Sequence, residues 1–246
     1  MALKASPADQ ALLLELQSYD TRLAQIAHRA KSLAQHAELA KLGADKAALG
    51  TVLAGQSGVL EDVNIELSRI ESDVSVVEAR IARDDARLQV TSSVKDVQAL
   101  EQELGSLRKR QSDLEEIELT VMERAEEHAA ALALTQEKVD SLQEHISEVE
   151  AARDAELATV ETERGNAAAN REAIAVKVPA DLLALYEKQR ARYGQGAAHL
   201  QGGTSSASGV KFHENEMVII RAAAPDDVLL CPDSSAILVR TAESGL

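Results

Sequence analysis

Phosphate-binding side chains crowd the middle of the chain: Arg80, Arg83 and Arg87 precede a short hydroxyl-rich run, and Lys95, Arg108, Lys109 and Arg110 follow it. Guanidinium and ammonium groups gathered in this way could neutralise a nucleic-acid backbone, arginine through bidentate bonds and lysine as a point charge. Asp84, Asp85, Asp96, Glu101 and Glu103 are interleaved with them. A second reading therefore competes, in which solvated charges flank an apolar seam and set the pairing of two helices. The whole chain carries 26 Lys and Arg against 41 Asp and Glu, a formal net charge of −15. That field repels polyphosphate, so nucleic-acid binding would need a locally basic surface. No glycine-rich phosphate loop, nucleophile elbow or metal-ligand helix motif occurs, and scattered carboxylates without an enclosing pocket lack the means to tune their pKa values. The reading is non-enzymatic, with no small-molecule substrate and no cofactor. The single Cys231 cannot form an intramolecular disulfide, and Asp226, Asp227 and Asp233 beside it are expected to raise its pKa, which makes it an unreactive small residue.

The elements that must position these groups are helical. With three Tyr, one Phe and no Trp, the 246 residues hold few of the large side chains that dominate ordinary globular cores. Ser6-Pro7 supplies a capping hydroxyl and a first-turn proline, after which Leu12, Leu16, Tyr19, Leu23, Ile26, Ala30 and Leu33 recur at spacings of three and four. The stripe resumes with Val63, Leu67, Ile70, Val74, Val77, Ile81, Asp84 and Leu88, Asp84 alone interrupting its apolar character. A second stripe, Val97, Leu100, Leu104, Leu107, Leu114, Val121, Leu132, Val139, Leu142, Ile146 and Val149, can cover the first. Thr91, Ser92 and Ser93 lie between them and favour turns and N-caps, so the tip of an antiparallel hairpin is placed at residues 91–95. Gly43, Gly50, Gly55 and Gly58 each cost a helix about 1 kcal/mol relative to Ala, which predicts a kink or break in the first arm. The run Lys31 to His36 is a second place for an interruption, with Ser32 capping a new helix, and an unbroken helix fits that run equally well.

Past Asn170 the periodicity fades. Val178-Pro-Ala-Asp181 opens a short amphipathic helix through Arg190, and a Gly- and Ser-rich loop region follows. Met217–Ile220, Val228–Leu230 and Ile237–Val239 read as three short strands. The fold class is mainly α: a long antiparallel coiled-coil helical hairpin, residues 1–176, and a small β-rich C-terminal module, residues 177–246. A module of that size buries little core alone. Phe212, Met217, Val218, Ile219, Val228, Leu229, Leu230, Ile237, Leu238 and Val239 are its candidate core, packing against the Leu182–Tyr186 helix and the base of the hairpin. The N-terminus lacks the apolar core of a signal peptide and no run approaches the ~18 apolar residues that span a bilayer, so a cytoplasmic protein without a membrane partner is expected.

Arg87 to Leu100, Arg110-Gln-Ser-Asp-Leu-Glu115, Pro179 to Tyr186 and Ile220 to Asp227 carry a family resemblance over nearly the whole chain. They resemble the bacterial, actinobacterial-type coiled-coil hairpin proteins with a C-terminal C4-type zinc ribbon, described as nucleic-acid-binding proteins. The resemblance places the four metal-ligand positions at Ser205, Ser208, Cys231 and Ser234, so three of the four cysteines are serines. A neutral serine hydroxyl neither deprotonates near pH 7 nor binds zinc as a thiolate does, so tetrahedral zinc is not expected. His199 and His213 do not fit the spacing of either knuckle. The C-terminal segment also has no net basic footprint and few aromatic rings for base stacking. The leading expectation is therefore a scaffold or adaptor that binds proteins, and the alternative is an RNA- or DNA-binding regulatory protein of the zinc-ribbon family.

Overall fold

A computed structural model describes residues 3–246. Helix α1, Pro7–Lys31, starts where the Ser6 hydroxyl accepts the Asp9 amide at 3.1 Å, and His28, Arg29 and Lys31 sit favourably near its carbonyl end. It stops at Ser32, whose amide and hydroxyl both donate to the His28 carbonyl, at 3.0 and 2.9 Å. Ser32 thus ends α1, and the helix is interrupted within the Lys31 to His36 run. Helix α2, Ala34–Val90, then runs unbroken through Gly43, Gly50, Gly55 and Gly58. The predicted break at these glycines does not occur, because the intervening Ala and Leu residues are strong helix formers and the seam residues Leu53, Leu60 and Val63 stay on the packed face. Thr91–Ser93 connect α2 to helix α3, Val94–Ala175.

Two compact units result, one of Met1–Ala34 with Ala152–Leu246 and the other of Gln35–Ala151. In the second, α2 and α3 pack antiparallel along the two apolar stripes. Val63, Asp84, Leu100, Leu104, Leu114 and Val121 are buried, and the stripe residues between them are at least half covered. Gln56 also falls on this seam, and its Oε1 is buried without a hydrogen-bond partner. Cross-helix pairs fix the register: Gln111 donates to Glu78 at 3.3 Å, and Arg124 to Glu66 at 3.2 Å.

The other unit surrounds a sheet with helices. Helix α4, Ala180–Tyr193, ends at Gly194 in the left-handed conformation. It leads to β1, Ala197–Gln201, and β2, Thr204–Ser205. Helix α5, Glu214–Ala222, strand β3, Leu229–Leu230, and strand β4, Ile237–Val239, complete the module. The strand order is β2-β1-β4-β3, with β1 parallel to β4 and the outer pairs antiparallel. Side chains alternate across the sheet as the pleat requires. Ala197, Ile237 and Val239 join Leu13, Leu16, Leu182 and Tyr186 on one face, while Ala198, Leu200 and Leu238 join Phe212, Met217, Ile220 and Cys231 on the other.

Met217–Ile220, read as a strand, is helical. The Glu216 carboxylate accepts the His213 amide at 2.8 Å, and the segment then buries Met217 and Ile220, three apart, leaving Val218 and Ile219 exposed. Arg240 closes the α5–β3 connection by donating to the carbonyls of Ala223, Ala224, Pro225 and Asp227 at 2.9, 2.6, 3.2 and 2.9 Å. N-terminal residues add to the same edge: the Ala5 amide reaches Asp226 O at 2.9 Å, and the Val228 amide reaches Leu3 O at 3.1 Å.

Candidate functional site

The cations singled out in the sequence lie on α2 and α3 on either side of the Thr91–Ser93 turn, and the structure divides them. Arg80 pairs with Glu103, Arg87 with Asp84 at 3.4 Å, and Arg108 with Asp85 at 3.2 Å. Asp84, which interrupts the stripe, is buried and keeps a partner through Arg87. Arg83, Lys95, Lys109 and Arg110 are exposed and, among the described residues, lie outside these ion pairs. Beside them Val90 and Val94 are 84% and 74% exposed at the two helix ends. A cleft of 410 Å³ lined by Arg87, Val90, Thr91, Asp96, Leu100 and Glu103 opens at the turn.

In the sheet-containing unit the positions that the resemblance assigns to metal fall in two turns of one design. Ser205 O accepts the Gly209 amide at 2.8 Å and Ser205 N donates to Val210 O at 3.1 Å; Cys231 O accepts the Ser235 amide at 2.9 Å and Cys231 N donates to Ala236 O at 2.8 Å. The Ser208 and Ser234 hydroxyls accept from Val210 and Ala236, each two residues on, at 3.2 and 3.4 Å. Ser205 and Cys231 are 0% and 1% exposed. Burial pushes the Cys231 thiol up, yet hydrogen bonds from the Ser234 hydroxyl and amide, the Ser205 hydroxyl and the Asp233 amide outweigh it, and the net direction is down. The upward shift expected from neighbouring aspartates is thereby corrected, since local donors act at shorter range than those carboxylates. One thiol and three neutral hydroxyls do not fit a structural zinc ion, which takes thiolates or imidazoles. His199 instead bonds Thr241 Oγ1 at 2.7 Å from β1, and His213 immediately precedes α5.

A buried polar network escaped the sequence reading. Asp20 of α1 receives Arg171 Nε of α3 at 2.7 Å, Arg190 Nη1 of α4 at 3.1 Å and the Tyr186 hydroxyl at 2.6 Å. Glu187 accepts both arginines, its bond from Arg190 Nη2 measuring 2.7 Å. Gln17 Oε1 accepts the Gly196 amide at 2.8 Å, joining α1 to the start of β1. Burial and the bond to Asp20 push the Tyr186 phenol well above its ordinary range. The α1 stripe therefore faces inward through Leu13, Leu16 and Asp20, while Tyr19, placed on it by spacing, is only half-buried. A carboxylate at a seam position was the available signal, as it was at Asp84.

The family description "CT398-like coiled coil hairpin domain" matches residues 16–194. The chain belongs to this family. The match runs from within α1 through α4 and stops at Gly194, before β1. Uncharacterized protein Rv2229c of Mycobacterium tuberculosis is 35% identical over 239 residues, covering 97% of this chain and 98% of that protein. Uncharacterized protein ML1638 of Mycobacterium leprae is 25% identical over 221 residues, covering 89% and 94%. A solved Mycobacterium smegmatis structure is 38% identical with a TM-score of 0.89, covering 97% of this chain and all of that one. CT398 of Chlamydia trachomatis shares the fold with a TM-score of 0.67 at 16% identity, covering 95% and 98%. Among the described residues no helix of this family member is long and apolar enough to cross a membrane.

Proposed function

We propose that this CT398-like protein is a non-enzymatic scaffold that binds other proteins through its hairpin, with the α2–α3 turn as the contact. The observation that carries the reading is the exposure of Val90 and Val94 at the helix ends, beside arginines already neutralised by Asp84, Asp85 and Glu103. Apolar side chains at that exposure lose water favourably only against a partner, while a nucleic-acid phosphate gains little from cations held in ion pairs. Leu119 and Met122, one turn apart on α3, add apolar surface of the same kind. The charged groups around the buried Asp20 support the non-enzymatic part: Asp20, Arg171, Arg190 and Glu187 neutralise one another while tying three helices together.

Arg83, Lys95, Lys109 and Arg110 are the observation in favour of the second reading, RNA or DNA binding. One experiment separates the two. The chain and its V90D/V94D variant are titrated with single-stranded RNA and duplex DNA across a salt series, and both are used as photo-crosslinking baits at residue 92 in native extract. The scaffold reading expects specific protein adducts that V90D/V94D loses, with weak nucleic-acid binding. Tight RNA binding with a steep salt slope, unchanged in V90D/V94D, would overturn it.

A further inference from the structure

Beyond their shared hydrogen bonds, the two turns share a backbone conformation. Gly209 and Ser235, each four residues after the turn's first ligand position, have φ of 68° and 56°, and Ser235 is the non-glycine residue at positive φ among the described residues. The left-handed region is disfavoured for an L-residue, so something must hold Ser235 there. In both turns an amide two residues on serves the first position, Ala207 N reaching Ser205 Oγ at 3.4 Å and Asp233 N acting on Cys231 Sγ. In both, a further amide serves the fourth position, at Ser208 and at Ser234. Amides aimed at four side-chain atoms from two matching turns are what a tetrathiolate metal site requires around its ligands. Here those amides meet three hydroxyls and one thiol.

We infer that the module retains the complete two-knuckle frame of a four-thiolate site but runs without metal, with the buried Ser205 and Cys231 and the Ser208 and Ser234 hydroxyls at its four ligand positions. The frame persists because the sheet holds it. The β1–β2 and β3–β4 pairings fix where each turn begins, and Leu200, Phe212, Met217, Ile220 and Leu238 pack around Cys231. Cohesion that a metal would supply in a small fold comes instead from this second core cluster and from the contacts with α1 and α4 on the opposite face of the sheet. Returning thiols to the three serine positions therefore restores a tetrahedral zinc site without any change of backbone.

The test is metal stoichiometry on the full chain. Purified wild-type protein is expected to hold no stoichiometric zinc by elemental analysis, to give no thiolate–cobalt absorption when titrated with Co(II), and to melt at the same temperature with and without chelator. The S205C/S208C/S234C variant is expected to take up stoichiometric zinc, to show the intense visible bands of tetrahedral thiolate-bound Co(II), and to melt lower when chelated. The S208C/S234C variant, which leaves the fully buried Ser205 in place and so spares the core, is expected to bind Co(II) through three thiolates. Stoichiometric zinc in the wild-type protein would sink the inference, as would a folded S208C/S234C variant that gives no cobalt–thiolate signal.

Discussion

Asp20 shows how a single residue can set the outcome for its surroundings. It is a carboxylate with 6% side-chain exposure, held by two guanidinium groups and a phenol. Removing one donor leaves a buried acceptor short of a bond, which costs about 1–3 kcal/mol. Y186F is thus expected to lower urea-unfolding stability by about that amount. It also carries a pH signature. The folded Tyr186 pKa is raised, so its contribution is present below the unfolded value of 10.0 and is lost as pH rises above it; the alkaline decline in stability should be shallower in Y186F, read by pH-dependent melts. Glu187 works in the opposite sense. Burial pushes its pKa up, but bonds from Arg171 and Arg190 win and the net direction is down from 4.5. Its contribution is present above that value and lost as pH falls through the lower folded one, so E187Q should flatten the acid limb of the same profile.

Among the elements, close packing and seam polarity make separate predictions. A Cβ added at Gly196 would lie 2.4 Å from Tyr186 Cε2, in a ring with no exposure and no room to move. G196A should cost about 1–3 kcal/mol, the usual range for overpacking, measured by equilibrium unfolding. At Gly50, by contrast, an added Cβ meets nothing within 4 Å. On the α2–α3 seam Gln56 Oε1 is a buried side-chain acceptor without a partner among the described residues. Q56L should stabilise the hairpin by about 1–2 kcal/mol by removing that desolvated acceptor. A cost in pairing specificity is expected with it, visible as broadened oligomer distributions in analytical ultracentrifugation, because a polar seam residue restricts register.

For the whole molecule, charge decides which partners approach. At −15 overall, binding of any acidic polymer must work against the mean field. Charge reversal at the four cations outside those ion pairs, R83E/K95E/K109E/R110E, is expected to leave protein capture by the V90/V94 surface intact, as read by the same crosslinking assay. Unfolding stability should shift by only about 0.5 kcal/mol, as for exposed substitutions generally.

Much of the helical fold was legible in the residues because a stripe at heptad spacing is a local property: whichever helix carries Val63 to Leu88 must bury that face, and Val97 to Val149 offers the matching one. The connection at Thr91–Ser93 was readable for the same reason, since turn chemistry acts over a few bonds. Met217–Ile220 was not, because four apolar residues fit either period and only the Glu216 cap and the burial of Met217 and Ile220 choose the helix. Strand β1 was missed because Ala197 to Gln201 lacks β-branched residues, and its pairing with Ile237–Val239 supplies what propensity did not. Asp20, Arg171 and Tyr186 meet across separations of 151 and 166 residues. Whether a charge is buried and satisfied depends on partners that only the folded chain brings within reach, and the matching turns at Ser205 and Cys231 became visible on the same terms.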